Sequence, residues 1–326
     1  MAVAPPERRR TLWRRFRRAT RGPRNAVLAR VLGWVAAAVG LLPVSVARAL
    51  GRGLGAAAHT VLGRPRGFAL QHVALAFPEL DDRARRALVR DTFRHAGESY
   101  AELAVFPKIA HDPDYVRVES AALDAALARG NGALAITGHV GNWELLAATM
   151  ARRGLALTVV ARKVNDPRFD ALITRFRGGA GMSILLRDDP KFLSAVRDAL
   201  AQNRVVALLI DQDSRGGGVF VPFFGRPAHT PPGAAVLALR TKAPVVSVFI
   251  HRRPEGGHTI VFDAIPIEHG AGAGRVLALT AQFTAAIEAA IRRSPAEWVW
   301  WHERWRRQPE ASSADAVRDA PELQRG

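Results

Sequence analysis

The stretch Ala133–Met150 constrains the fold most. Ala133–Thr137 (ALAIT) runs into Gly138-His139-Val140-Gly141-Asn142, and Leu145–Met150 then repeats with apolar periodicity. A short apolar run, a glycine-bounded turn and a helical repeat predict a buried strand, a tight turn and a helix. Similar units surround it. Upstream, Gly67–Val105 reads as helical with a break at Phe77-Pro78-Glu79, and Leu88, Thr92, Ala96 and Tyr100 form a row at spacing four. Tyr115–Glu119 reads as a strand and Ala121–Arg129 as a short helix. Downstream, strands are expected at Leu155–Val160, Met182–Leu186, Arg204–Ile210, Val245–Ile250 and His258–Phe262. Helices are expected at Pro167–Arg177, Pro190–Gln202, Pro232–Arg240 and Gly274–Arg293, and Asp211–Pro231 reads as a long irregular loop. Such alternation predicts an α/β fold, a mostly parallel sheet flanked by helices on both faces.

The amino terminus differs from the rest. Residues 1–24 carry nine arginines against the single acid Glu7. Val31–Ala47 then forms an uncharged stretch of 17 residues between Arg30 and Arg48. It resembles a signal peptide, but it starts late and Pro43 interrupts it. It is at the short limit for a spanning helix. A helix lying in the cytoplasmic leaflet, clamped by arginine–phosphate contacts, fits equally well, and a buried core helix behind a basic tail is the plain alternative. The expected organisation is a basic segment (1–24), a hydrophobic membrane-associating segment (25–66), a catalytic domain (67–308) and a disordered polar tail (309–326). Lys and Arg exceed Asp and Glu by 47 to 29, a net charge of +18, so the surface needs an anionic partner. No nucleic-acid-binding pattern accompanies that charge, so an anionic phospholipid surface is expected rather than nucleic acid. The chain has no cysteine, which excludes disulfides, thiolate metal sites and cysteine nucleophiles.

The turn carries the chemistry. Gly138 and Gly141 allow a sharp bend and close approach of a ligand. Asn142 is placed as an N-cap, which puts Glu144 in the first helical turn. His139 lies just past the strand, at the end where open α/β sheets bind ligands. A histidine with a nearby carboxylate forms a base and its orienter. On one continuous helix, five residues turn through about 500° and point the two side chains apart, so the loop-then-helix reading is required to join His139 and Glu144. The remaining histidines lack metal-ligand spacing, and no metal is expected.

Four ordered segments, GHVGNWELL, VVARK, DQDSRGGGVFVPFFGRPAHTP and PAEWVWWHERWRR, resemble the bacterial late acyltransferases of lipid A biosynthesis, within the lysophospholipid acyltransferase superfamily. That family also includes the actinobacterial mannoside acyltransferases. The likeness runs from about Ala69 to Arg307 and extends to HVALAFPEL, where His72 stands in place of the usual asparagine. It implies transfer of a fatty acyl group from acyl carrier protein or coenzyme A to a hydroxyl of a membrane glycolipid such as a lipid A precursor. It further implies that His139 is the general base and Glu144 its partner, and that no cofactor is needed beyond the thioester co-substrate. The implied location is the cytoplasmic side of the bacterial inner membrane.

Other residues gain roles by the same likeness. Arg162 is expected to meet an anionic group of donor or acceptor. Asp211 and Asp213 are read as hydrogen-bond acceptors that shape the site. Phe223 and Phe224 line an acyl channel or simply pack a loop, and Arg226 lies near phosphate. Trp298, Trp300, Trp301 and Trp305 with Arg304, Arg306 and Arg307 line the site, sit at the membrane interface or form a core strand. Backbone N–H groups of the turn Gly138, Gly141 and Asn142 are candidates for stabilising the oxyanion. The alternatives are an acyltransferase acting on a mannoside lipid or lysophospholipid, or an inactive membrane-surface scaffold.

Overall fold

The computed structural model describes residues 21–110, 112–162, 177, 179, 181–213, 216–267 and 274–309. Four helices come first: α1 (Arg21–Leu41), α2 (Val44–Val61), α3 (Gly63–Ala76) and α4 (Asp82–Ala104). The single turn α5 (Phe106–Ile109) leads to β1 (Val116–Glu119), α6 (Ala121–Leu127), β2 (Ala133–Thr137), α7 (Trp143–Arg152) and β3 (Leu157–Ala161). Next come β4 (Ser183–Leu186), α8 (Phe192–Ala201), β5 (Val205–Leu209), β6 (Val219–Phe223) and β7 (Arg226–Thr230). The fold ends with α9 (Gly233–Thr241), β8 (Val245–Arg252), β9 (His258–Ile265) and α10 (Arg275–Arg293). The expected elements match these within a few residues. The helix expected at Pro167–Arg177 lies almost wholly outside the described residues, as do residues 1–20 and 310–326.

Seven strands form one sheet in the order β1-β9-β8-β2-β5-β3-β4, and only the β8–β9 pair is antiparallel. Alternate residues of the central strands feed two cores. Leu134, Ile136, Val206 and Leu208 face α8, α9 and α10, whereas Ala133, Ala135, Val205 and Ala207 face α6 and α7. The period of two along each strand divides the sheet this way, and both faces are covered, as a parallel sheet requires. Leu145 of α7 is fully buried, worth about 2 kcal/mol relative to exposure.

Two expectations are corrected. The loop at Asp211–Pro231 contains a hairpin, β6–β7, closed by Phe224 and Gly225. Both residues have positive φ (+52° and +67°), the geometry of a two-residue turn that follows the strand twist. A phenylalanine in that position hid the turn from sequence reading. The inward stripe of α4 is also different. Val89, Thr92, Phe93 and Ala101 are buried together with Glu98 and Glu102, while Tyr100 is 68% exposed. Two buried acids broke the apolar pattern on which the expected row rested.

The uncharged amino-terminal stretch is divided by Pro43 between α1 and α2, because proline cannot continue a helix interior. Among the described residues, no helix is long and apolar enough to cross a membrane. Helix α2 crosses α4 with backbones nearly touching. A Cβ on Gly51 would lie 2.5 Å from the Gly97 carbonyl oxygen, and one on Gly55 would lie 2.2 Å from that of Phe93. Gly51→Ala is therefore expected to lower stability by about 1–3 kcal/mol through overpacking. Gly53→Ala, which meets open space, should be neutral or stabilising. Thermal melts of the two variants check this.

Candidate active site

Strands β2 and β5 pair in parallel, with Thr137 opposite Leu209. Two residues further along each chain, at the carboxyl ends, stand His139 and Asp211. The register therefore brings together residues that are 72 apart in sequence. His139 Nδ1 lies 2.7 Å from Asp211 Oδ1. The backbone N–H of His139 donates to Asp211 Oδ2 at 2.8 Å, and Trp298 Nε1 donates to the same oxygen at 2.9 Å. Asp211 has no exposed side-chain surface, whereas the His139 side chain is 21% exposed and reachable from outside. Burial alone would lower the His139 pKa. The Asp211 charge and hydrogen bond outweigh it, so the pKa is raised above 6.5. Burial would likewise raise the Asp211 pKa, but the charge and bonds of His139, with Trp298, hold it well below the usual carboxylate range.

Glu144 is not the hydrogen-bond partner of His139. Asn142 caps α7, its Oδ1 accepting from the Leu145 amide at 3.2 Å, which starts the helix at Trp143. Trp143 stands edge-on to the His139 ring at 4.9 Å. Both oxygens of the Glu144 carboxylate accept instead from one edge of the Arg177 guanidinium, Nη2 to Oε1 and Nε to Oε2, the latter at 3.0 Å. Its negative charge still helps raise the His139 pKa. The turn itself is rigid. Gly141 adopts φ +63°, and a Cβ there would lie 2.0 Å from the Ile250 carbonyl oxygen, so only glycine fits. The Gly141 amide donates to Glu297 O at 2.9 Å. The amides of His139 and Gly141 are thus already engaged. Gly138 sits directly beside the Asp211 carboxyl, where a Cβ would lie 3.1 Å from its Cγ.

The remaining expected residues scatter. Arg162 is exposed just past β3, at the same carboxyl end of the parallel strands as His139. Asp213 is buried and tied to His229 (2.9 Å) and Arg306 (2.8 Å). Phe223 and Phe224 are packed against Phe77, Trp298, Trp300 and Trp305. They fill an aromatic core, not a channel. Arg226 is exposed, with Nε 3.4 Å from Leu75 O. Arg304 is fully buried; it donates to His229 O and Thr230 Oγ1, both at 2.6 Å, and covers the Phe223 ring at 5.0 Å. It clamps the β6–β7 hairpin and faces no open site. Sequence reading missed Arg177 and the bond from Trp298. The alternation of Trp298 and Trp300 signalled only burial. Among the described residues, no group of three or more acidic or histidine side chains is set to hold a metal.

Two clefts meet at the start of α7. One lies between α7 and the sheet, lined by Leu146, Met150, Leu157, Val159, Met182 and Phe262, and also by Trp143, Glu144 and Arg177. The other lies between α4 and residues 296–301, lined by Tyr100, Leu103, Asn142, Trp143 and Trp301 among others.

The paired shifts fix the pH dependence. With its folded pKa raised, His139 contributes stability that is full below about pH 6.5 and is lost as pH rises through the folded value. Asp211, with its folded pKa depressed, contributes stability above about pH 4 that is lost on acidification. The pair is therefore worth most between these limits. Asp211→Asn should cost about 3–5 kcal/mol there and less at higher pH, where His139 is neutral. It should also lower the His139 pKa, as read by histidine NMR titration.

The profile of the family described as bacterial lipid A biosynthesis acyltransferase matches residues 14–307. The chain is 27% identical to the lipid A biosynthesis lauroyltransferase of Escherichia coli (strain K12) over 277 residues, 82% of this chain and 88% of that protein. It is 26% identical to the lipid A biosynthesis palmitoleoyltransferase of the same strain over 285 residues, 84% and 89% of the two chains. It is 31% identical to the phosphatidylinositol mannoside acyltransferase of Mycobacterium tuberculosis (strain ATCC 25618 / H37Rv) over 186 residues, 56% of this chain. That matched stretch spans 57% of the mycobacterial relative's length. The ordered segments around His139, Arg162, Asp211 and Trp298 thus lie within one continuous match, and the chain belongs to the bacterial lipid A biosynthesis acyltransferase family.

Proposed function

We propose that this protein transfers a fatty acyl group from a thioester donor, acyl carrier protein or coenzyme A, to a hydroxyl of a lipid A precursor. The observation that carries the reading is the buried Asp211 bonded to a partly exposed His139, whose ring meets Trp143, a residue that lines the apolar cleft under α7. A hydroxyl is a weak nucleophile near pH 7, so a positioned base must take its proton as it attacks. Asp211 holds Nδ1 and leaves Nε2 to accept the acceptor's hydroxyl proton. The oxygen attacks the thioester carbonyl carbon and forms a tetrahedral intermediate. The C–S bond then breaks, and the departing thiolate takes the proton from the imidazolium. The products are an ester and a free thiol. First-turn amides of a helix lack intrahelical acceptors, so those of Trp143 and Glu144 are the candidates to stabilise the oxyanion. Arg162, exposed just past β3, supplies positive charge for an anionic group of donor or acceptor. The acyl chain lies in the cleft beneath α7.

The reading extends to the membrane, with 25–66 as the associating segment and 67–308 as the catalytic domain. Val31, Leu32, Trp34, Val35 and Leu41 of α1 and Val46, Leu50 and Leu54 of α2 are exposed, and Arg30, Arg52 and Arg64 lie along the same region. Such an apolar surface with flanking arginines suits the cytoplasmic face of an anionic inner membrane. A mannoside lipid is the second acceptor to test, because the mycobacterial relative carries the higher identity over its shorter match.

The test offers both donors against a lipid A precursor, a phosphatidylinositol mannoside and lysophospholipids, with products followed by mass spectrometry. One acyl mass should be gained on the lipid A precursor, and His139→Ala should slow the transfer by about 10²–10⁴-fold. Full turnover in His139→Ala would refute the mechanism. Transfer to the mannoside alone would overturn the acceptor, and none to any acceptor would overturn the function. Trp34→Ala should weaken binding to phosphatidylglycerol vesicles in co-sedimentation, and unchanged binding would remove α1 from the membrane face.

A further inference from the structure

A second group of charges is buried on the other side of the turn that carries His139. Its centre is Glu102 of α4, which has no exposed surface. Its carboxylate accepts from both terminal nitrogens of Arg252, at 2.5 and 3.1 Å, and from the Tyr115 hydroxyl at 2.9 Å. His258 Nε2 lies 3.0 Å from Oε1, and Asn142 Nδ2 donates to Oε2 at 3.1 Å. One helical turn earlier, Glu98 faces Arg48 at 2.8 Å, Arg52 at 3.0 Å and Arg252 at 3.3 Å. Two carboxylates one turn apart thus share three arginines and a histidine. Arg48 and Arg52 come from α2, and Arg252 from the end of β8.

A buried ion network is a costly way to fill space, because apolar side chains of similar volume often serve stability as well or better. What this one holds is Asn142. The Oδ1 of Asn142 caps α7, while its Nδ2 is shared between Glu102 and the Ser99 carbonyl oxygen at 3.1 Å. Glu102 and Ser99 therefore orient the cap of the helix that His139 precedes. The network also reaches the turn by a second route. The Arg252 amide donates to the Glu297 carboxylate at 3.2–3.3 Å, and the Glu297 carbonyl oxygen accepts the Gly141 amide. The turn is held from the Asp211 side by the His139 amide and from the Glu102 side by Asn142 and Gly141.

We propose that Glu102 is a positioning residue of the acyl-transfer site, acting through Asn142 to fix the turn that carries His139, with Arg48 of α2 completing its charge balance. The inference rests on the function assigned above. A displacement of about 1 Å in a reacting group can cost up to ~10²-fold in rate, so a hub beyond direct reach of substrate still acts on turnover.

Three variants of the full chain test it. Asn142→Ser keeps a capping hydroxyl for Leu145 but lacks a donor long enough to reach Glu102. Glu102→Gln leaves a single acceptor oxygen where the carboxylate serves Asn142 and Arg252 through two, and removes the charge. Arg48→Gln alters the hub from α2. The readouts are kcat and KM separately, the thermal midpoint, and the NMR titration of His139. Asp211, Glu144 and Arg177 face His139 and stay unaltered in all three.

Asn142→Ser and Glu102→Gln should each lower kcat about 10–100-fold with KM changed less than about threefold. The His139 titration should move from its raised position toward the ordinary value near 6.5. The double variant should be no slower than the slower single one, as coupled sites behave. A folded Asn142→Ser protein with kcat within twofold and an unmoved His139 titration overturns the proposal, even if its thermal midpoint falls. If Glu102→Gln does not fold, Asn142→Ser decides alone. An unchanged kcat in Arg48→Gln removes α2 from the hub. If the unaltered protein transfers to no acceptor, the function assigned above has failed, and the His139 titration still judges the positioning.

Discussion

One carboxylate, that of Asp211, organises the site. It is buried without exposed surface and accepts three hydrogen bonds: His139 Nδ1, the His139 amide and Trp298 Nε1. Burying an ionised carboxylate costs several kcal/mol unless charge and hydrogen bonds offset it, and here the two partner residues, His139 and Trp298, come from different parts of the fold. The β2–β5 register supplies the histidine, and the chain beyond α10 supplies the tryptophan. The same bonds hold the imidazole by Nδ1, while the side chain stays partly exposed. The parallel pairing of two central strands is therefore also what sets a histidine against a buried carboxylate.

Among the described residues, buried carboxylates stand on both sides of the turn 138–142. Asp211 stands at the end of β5, while Glu98 and Glu102 stand on α4. Each carboxylate is matched by cations or donors, and their burial explains why α4 presents so mixed a face. The tight α2–α4 crossing, with Gly51, Gly55 and Gly97 in near backbone contact, brings Arg48 and Arg52 within reach of Glu98. Small residues at the crossing and long arginines beside it are two parts of one arrangement.

The aromatic cluster shows how composition can mislead about role. Trp298, Trp300, Trp305, Phe77, Phe223 and Phe224 interlock edge to face, with Arg292 4.6 Å above Phe224 and Arg304 5.0 Å from Phe223. Arg304 is sealed inside, where burial lowers its pKa to about 10. A tryptophan–arginine segment near the end of a basic chain suggests a surface for lipid. The fold instead spends most of it on clamping the β6–β7 hairpin beside Asp211, and only the Trp298 indole nitrogen reaches the site directly.

The sequence by itself determined most of the elements, the β6–β7 hairpin excepted. Strands buried on both faces read as unbroken apolar runs, helices as 3.6-residue periods, and the glycine-bounded turn with His139 and Asn142 as a strand-to-helix junction, because these signals are local. It also supplied the ordered motifs by which the family is legible. The tertiary structure alone decided which carboxylate meets His139. Glu144 is near in sequence, but the cap at Asn142 and the ring of Trp143 turn it toward Arg177. Asp211 is 72 residues away and arrives opposite His139 because Thr137 pairs with Leu209. Likewise, no period in α4 announces that Glu98 and Glu102 point inward; their partners lie on α2, β8 and β9. Strand register and the meeting of distant charges are properties of the assembled chain, since each depends on pairings that no local stretch contains.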